Sequence, residues 1–182
     1  MGAGKSSVGR AMGKSLGWAF EDLDERIELR EGRAVAEIFR DSGEAAFRRA
    51  EHAALKELLK ELRSGPEKIV ALGGGAFVPA RNAALIEVEG VPTVFLDASV
   101  EELWQRCGEQ AERQGAERPL LSGYVEKFRE LYEARKPYYL KAQHRQGTDG
   151  KKVTAIAAEV IQALGLGQDN KRSSGGRRRR TQ

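Results

Sequence analysis

Apolar residues follow two alternating patterns along this chain, short continuous runs and longer stretches with helical spacing. The runs predict buried strands at 18–23, 69–72 and 93–96. The spaced positions predict helices at 5–16, 25–62, 100–112, 124–143 and 153–164. Strands that alternate with helices of this length predict an α/β fold, a doubly wound parallel sheet whose ligands bind beyond the carboxyl ends of its strands.

Glycines and polar stretches divide this pattern further. The helical stretch after the strand at 18–23 is broken at Gly32 and Gly43, which indicates a helical insert at 25–63. The polar stretch 113–123 contains glycine and predicts a loop that could close over a ligand. The stretch 144–148 is too polar to predict a strand.

The chain opens on a glycine loop that leads directly into the helix at 5–16. Its letters match the closing part of G-x-x-x-x-G-K-[ST], in which amides cradle phosphates, the lysine reaches the β and γ phosphates and the hydroxyl holds Mg²⁺. A flexible glycine-rich terminus and an N-myristoylation signal are alternative interpretations. We predict binding of ATP and Mg²⁺ by Gly2, Ala3, Gly4, Lys5, Ser6 and Ser7.

Two parts of such a loop are absent from the sequence. The first glycine of the motif would lie two positions before Met1, and the strand that feeds the loop is missing with it. We therefore expect that Met1 is an internal methionine, that the natural chain begins upstream, and that the sheet lacks its central first strand. Unpaired backbone groups would then cost about 1–3 kcal/mol each, so we expect poor stability and weak ATP binding.

Further motifs follow the loop in a fixed order. They are D-L-D at 22–24, E-I-F-R-D-S-G-E-A-A-F-R-R-A-E at 37–51, G-G-G at 73–75, R-P-L-L at 118–121 and Y-E-A-R-K-P-Y-Y at 132–139. In this order and spacing the chain resembles shikimate kinases from Met1 to about residue 164. The resemblance implies a P-loop kinase domain at 1–165, with 25–63 as the substrate-binding insert and 112–123 as the lid. It also implies transfer of the γ-phosphoryl group of ATP to the 3-hydroxyl of shikimate, a step toward chorismate and the aromatic amino acids.

The resemblance implies a role for each matching residue. Lys5 and Ser6 would hold phosphate and magnesium, and Asp22 would lie near the metal through water. Asp24 would contact the attacking hydroxyl as the candidate base. Arg118 of the lid would approach the transferring phosphate. The shikimate-binding residues would be Asp24, Arg48, Gly73, Gly74, Gly75 and Arg135.

These roles agree with the chemistry of the side chains, although simpler interpretations exist. Phosphoryl transfer needs cations around ATP and an acceptor at the nucleophile, and a guanidinium fork matches a carboxylate. Asp22 and Asp24 could instead be ordinary charges at a helix N-terminus. Arg48 could be a solvated surface arginine, Arg135 a helix C-terminal cation, and the triple glycine a plain turn.

Composition and charge limit the remaining function classes. The 182 residues are 40% hydrophobic and 32% charged, as in a globular domain. Of the net charge of +4, the segment 168–182 contributes +5, so the rest of the chain carries −1. We predict that the tail at 166–182 is disordered and binds nucleic acid weakly through its arginines. The single Cys107 predicts a cytoplasmic location, and the lack of a membrane-length apolar run predicts no membrane association. We also expect a monomer.

Other classes of nucleotide-binding protein share parts of this pattern. Gluconate and nucleoside monophosphate kinases share the loop but lack the joint E-x-x-F-R, G-G-G and R-P-L-L pattern. A GTPase would need N-K-x-D, which fails at Ser173. An N-terminally truncated, inactive homologue and a kinase of the gluconate type are kept as alternatives.

Overall fold

The computed structural model describes residues 2–113 and 122–167. The helices are α1 (Lys5–Leu16), α2 (Leu23–Glu31), α3 (Val35–Ser64), α4 (Ala80–Val88), α5 (Val100–Arg113), α6 (Ser122–Tyr139) and α7 (Val153–Ala163). The strands are β1 (Ala19–Asp22), β2 (Lys68–Ala71), β3 (Val94–Asp97) and β4 (His144–Gly147). The α/β class with parallel strands is confirmed.

Two glycines break the helical stretch after β1 at the positions that the sequence predicts. Gly32 ends α2 with φ 67°, and Gly43 interrupts α3 with φ 77° and ψ 171°. Both values lie where a side chain is disfavoured. Because the break at Gly43 turns the chain inside α3, the two parts of that helix follow different directions.

The strands form two parallel pairs. β1 pairs with β2 from Ala19 opposite Lys68 to Asp22 opposite Ala71. β3 pairs with β4 from Val94 opposite His144 to Asp97 opposite Gly147. Within the described ranges β2 and β3 do not pair with each other, so the structure has two short sheets where the sequence predicts one.

Two elements depart from the sequence predictions. The stretch 144–148, too polar to predict a strand from its sequence, contains β4. This strand pairs with β3 through its backbone, and its one buried side chain, Gln146, donates to Glu159 at 2.5 Å. The pattern also gave no sign of α4, whose buried residues include the polar Asn82.

Apolar side chains fill three clusters around the strands. The insert packs its own cluster from α2 and α3, including Leu23, Ile27 and Leu58. A second joins α1 to α7 through Val8 and Val160, and a third joins β3 to α5 and α6. In the part of the chain that the structure describes, no helix has the length and apolarity to cross a membrane.

Candidate active site

The glycine loop leads into α1, whose first backbone amides have no side-chain cap. Gly2 and Gly4 adopt φ 59° and 75°, and Gly4 begins α1 without a side-chain cap. At Gly2 a Cβ atom would overlap the carbonyl oxygen of Leu103 and lie 3.0 Å from the sulfur of Cys107. Only glycine therefore fits here. Free amides at a helix N-terminus favour an anion such as phosphate.

A hydroxyl and a carboxylate meet at the start of this helix. Ser6 Oγ donates to Asp22 Oδ2 at 2.6 Å, while Asp22 Oδ1 accepts from the amide of Asp24 at 3.0 Å. Asp22 thus also caps α2, which agrees with the simpler interpretation of Asp22 as a charge at a helix N-terminus. Among the described residues no cluster of three or more His, Cys, Asp or Glu side chains could hold a metal ion. One hydroxyl and one carboxylate nevertheless fit Mg²⁺, which keeps most of its ligands as water and phosphate oxygens.

Asp24 lies against the glycine turn at 73–75. A Cβ atom at Gly73 would be 2.5 Å from Asp24 Oδ1, so the turn approaches the carboxylate only because Gly73 lacks a side chain. Burial raises the pKa of Asp24, the charge of Asp22 raises it further, and Lys5 acts in the opposite direction. The result is a carboxylate that takes up a proton more readily than an exposed aspartate.

Arg48 approaches the same turn from α3. Its Nη1 atom donates to both carboxylate oxygens of Glu51 at 3.1 and 2.9 Å, and its Nε and Nη2 atoms donate to Glu44 at 3.2 and 3.1 Å. Only 21% of the Arg48 side chain and 1% of Glu51 are exposed. A Cβ atom at Gly75 would lie 2.5 Å from Nη1. The interpretation of Arg48 as a solvated surface arginine is therefore wrong.

Arg135 reaches the turn from α6. Its Nη1 atom donates to the carbonyl oxygen of Gly74 at 3.4 Å, and the hydroxyl of Tyr139, one turn further along α6, donates to the same oxygen. Burial raises the pKa of the Tyr139 hydroxyl, which favours the protonated form that donates this bond. Helix α6 thereby holds the turn through the carbonyl oxygen of Gly74.

The structure thus gathers most of the predicted residues in one place. Asp24, Arg48 and Arg135 surround the turn at 73–75, and Lys5, Ser6 and Asp22 lie next to Asp24. Ala3 packs against the core, and Ser7 is exposed at the start of α1. Three predicted features lie outside the described residues: Arg118, most of the predicted lid at 112–123, and all but the first two residues of the predicted tail at 166–182.

Three residues around the site were not predicted from the sequence. Glu51 stands three positions after Arg48, a helical spacing that could have identified it as a partner. Tyr139 lies within the quoted 132–139 motif. Asn82 Nδ2 donates to the carbonyl oxygen of Ala76 at 2.9 Å, and Asn82 Oδ1 lies 2.7 Å from His52 Nδ1. Asn82 therefore stabilises the end of the turn. Nothing in the sequence indicated this role for Asn82.

Comparison with known proteins identifies the family of this chain. A family model described as shikimate kinase matches residues 1–165. A shikimate kinase from Thermus thermophilus is 40% identical over 166 residues, which covers 90% of this chain and 85% of that protein. One from Caulobacter vibrioides is 42% identical over 167 residues, with 90% and 78% covered.

The solved structures extend this similarity to three dimensions. A shikimate kinase from Acinetobacter baumannii in complex with shikimate matches with a TM-score of 0.74 at 30% identity, over 90% of this chain and 88% of that one. Family model, sequence relatives and fold agree over the same length. This chain therefore belongs to the shikimate kinase family.

Proposed function

We propose that the protein transfers the γ-phosphoryl group of ATP to the 3-hydroxyl of shikimate, giving shikimate 3-phosphate and ADP. The observation that carries the proposal is the meeting of Asp24, Arg48 and Arg135 at one glycine turn, beside the phosphate-binding loop. Two guanidinium groups and one carboxylate suit a substrate that carries both a carboxylate and a hydroxyl. Membership of the shikimate kinase family supports the same reaction.

Arg48 and Arg135 would hold the substrate carboxylate. Arg48 already shares its charge with Glu44 and Glu51, of which Glu51 is buried while 68% of the Glu44 side chain is exposed. Glu44 can therefore leave for water when the substrate carboxylate arrives, while Glu51 keeps the guanidinium in place. Gly75 leaves the space that this guanidinium occupies.

Asp24 would accept the proton of the attacking hydroxyl. As the hydroxyl oxygen bonds to the γ phosphorus, the bond to the β–γ bridging oxygen breaks, ADP leaves, and the proton goes to the Asp24 carboxylate. Lys5 and the amides of Gly2, Ala3 and Gly4 would neutralise phosphate oxygens. Ser6 and Asp22 would hold Mg²⁺, which when bound supplies further positive charge to those oxygens.

Other details stay predictions from the sequence. These are the approach of Arg118 to the transferring phosphate, binding of ATP by Ser7, the single doubly wound sheet, the lid, the cytoplasmic location, the monomeric state and weak nucleic-acid binding by the tail.

An assay that couples ADP release to a spectroscopic signal tests the proposal. Shikimate, gluconate and nucleoside monophosphates are compared side by side with magnesium ATP. We expect turnover with shikimate and none above background with the others, and loss of turnover in Asp24→Asn. Equal turnover of gluconate would replace the proposal with a kinase of the gluconate type. A folded chain that binds shikimate but releases no ADP would support an inactive homologue.

A further inference from the structure

The turn at 73–75 satisfies two of its three carbonyl oxygens through its own backbone. The oxygens of Gly73 and Gly75 each accept from the amide three residues later, at 3.1 and 3.2 Å. The carbonyl of Gly74 has no backbone donor among the described residues, and its two donors are side chains of α6. The direction of this one peptide group is therefore decided by α6 and not by the turn itself.

The two side chains that hold Gly74 differ in what else they do. Arg135 Nη1 lies 3.4 Å from the carbonyl oxygen, beyond the usual range for an N–H donor. Arg135 is also a guanidinium that the proposed function assigns to the substrate carboxylate, so binding draws it away from Gly74. The hydroxyl of Tyr139, four residues later on the same face of α6, is then the donor that remains.

The orientation of the Gly74 carbonyl also fixes the amide of Gly75. In a planar trans peptide group the oxygen and the following N–H point in opposite directions, and the described chain has no cis peptide bond. With its oxygen held toward α6, this peptide group directs the Gly75 amide away from α6. That amide has no acceptor in the part of the chain that the structure describes.

The free amide of Gly75 lies close to the guanidinium of Arg48. Arg48 Nη1 is 2.5 Å from the position that a Cβ atom of Gly75 would take. A backbone N–H and a guanidinium are both strong donors to an anionic oxygen. Together they suit an oxygen of a substrate that carries a carboxylate.

We propose that Tyr139 is a positioning residue for substrate binding. Its hydroxyl holds the peptide group between Gly74 and Gly75 so that the Gly75 amide donates to the substrate beside Arg48, and it leaves Arg135 free to bind the substrate carboxylate. Tyr139 acts through the turn and does not itself contact the substrate. This inference rests on the proposed function, since it needs the substrate at this turn.

Removing the Tyr139 hydroxyl should leave the surrounding packing in place. The ring of Tyr139 packs against Phe95 with their centroids 5.4 Å apart, and Tyr139→Phe keeps that ring. Helix α6 is also attached to β3 by a second bond, in which the buried Tyr132 hydroxyl donates to the buried Asp97 carboxylate at 2.7 Å. The variant therefore tests the bond to Gly74 separately from the position of the helix.

Shikimate binding by Tyr139→Phe tests the proposal, with Tyr138→Phe as the matched control. The control removes the same hydroxyl from the adjacent tyrosine, which is 38% exposed. Calorimetry with shikimate alone gives its Kd, and steady-state kinetics give KM and kcat. We expect Tyr139→Phe to raise the Kd and the KM for shikimate by about three- to tenfold, the effect of one hydrogen bond. Because this contact is made in the ground and transition states alike, kcat should stay within about twofold, and the control should match the unmodified chain.

Each other outcome has a defined meaning. An unchanged Kd in Tyr139→Phe, or an equal rise in Tyr138→Phe, would overturn the proposal. A lower thermal midpoint with an unchanged Kd would make the hydroxyl merely structural, and a loss confined to kcat would assign it to the chemical step; both results also overturn it. A chain that binds no shikimate would refute the proposed function and this inference together.

NMR of the unmodified chain gives a second test that does not depend on how well the variant folds. Shikimate should slow hydrogen exchange of the Gly75 amide, while the carbonyl carbon of Gly74 keeps the chemical shift of a hydrogen-bonded group. A Gly75 amide that shikimate leaves unprotected would overturn the proposal, as would a Gly74 carbonyl that loses its hydrogen bond when shikimate binds.

Discussion

Replacing Gly75 with alanine should displace Arg48 without breaking the fold. The added Cβ atom would lie 2.5, 2.7 and 2.9 Å from Nη1, Nη2 and Cζ of Arg48. Gly75 is not among the glycines with positive φ, so alanine causes no backbone strain there. The overlap is with the end of a flexible side chain, which moves more easily than the turn.

The size of the effect follows from these distances. Nonbonded heavy atoms settle near 3.5–4.0 Å, so the guanidinium must move by about 1 Å or more. A charge-assisted hydrogen bond contributes about 1.5–3 kcal/mol, and each 1.4 kcal/mol is about tenfold in binding. Losing one such bond to the substrate carboxylate should raise the KM for shikimate by roughly 10- to 100-fold. Because the carboxylate lies away from the reacting oxygen, kcat should change little.

Steady-state kinetics with varied shikimate at saturating ATP measure the changes in KM and kcat separately. Gly147→Ala is the matched control. Gly147 ends β4, has no positive φ, and a Cβ atom there would meet nothing within 4 Å. Its KM and thermal midpoint should therefore match those of the unmodified chain. If Gly75→Ala leaves the KM unchanged, or lowers kcat alone, Arg48 does not hold the carboxylate.

Three further predictions concern the base, the second arginine and the tail. Asp24→Asn should keep ATP binding but lower kcat by about 10²–10⁴, and a normal rate in this variant would contradict the base role. Because the pKa of Asp24 is raised, kcat/KM of the unmodified chain should begin to fall, as the pH is lowered, at a pH above the usual aspartate range. Arg135→Ala should raise the KM for shikimate more than Arg135→Lys, measured by the same kinetics, and equal values would argue against a bidentate contact. Deleting 168–182 should leave turnover unchanged while salt-sensitive nucleic-acid binding, measured by filter retention, disappears; loss of ATP binding would show that the tail contributes to the site.

The sequence predicted α1 and the breaks in the helical stretch at 25–62 because their signals are local. The span of α1 follows from apolar spacing and from glycines at both ends, and Gly32 and Gly43 mark the insert by conformations that other residues avoid. The grouping of Asp24, Arg48 and Arg135 could not come from spacing alone. It followed from the resemblance to a family, and the structure now supports it through the turn at 73–75.

The missed elements depend on nonlocal contacts. β4 is a strand because its backbone meets β3, and a polar sequence such as His-Arg-Gln-Gly gives no apolar signal for it. α4 has a short pattern with a buried asparagine, whose bonds to Ala76 and His52 exist only in the folded chain. The secondary structure of such residues is decided by their tertiary contacts rather than by their intrinsic propensity.

Charge balance around the turn explains how the site can select its substrate. Three cations, Lys5, Arg48 and Arg135, meet four acids, Asp22, Asp24, Glu44 and Glu51, around the turn, so their formal charges nearly cancel. An anionic substrate gains attraction only when Glu44, the most exposed of the acids, moves into water. In the proposed binding mode, a ring would hold its carboxylate and its hydroxyl at a fixed separation between the arginines and Asp24. An open-chain acid such as gluconate must lose conformational freedom to span the same gap, so rigidity as well as charge favours the ring.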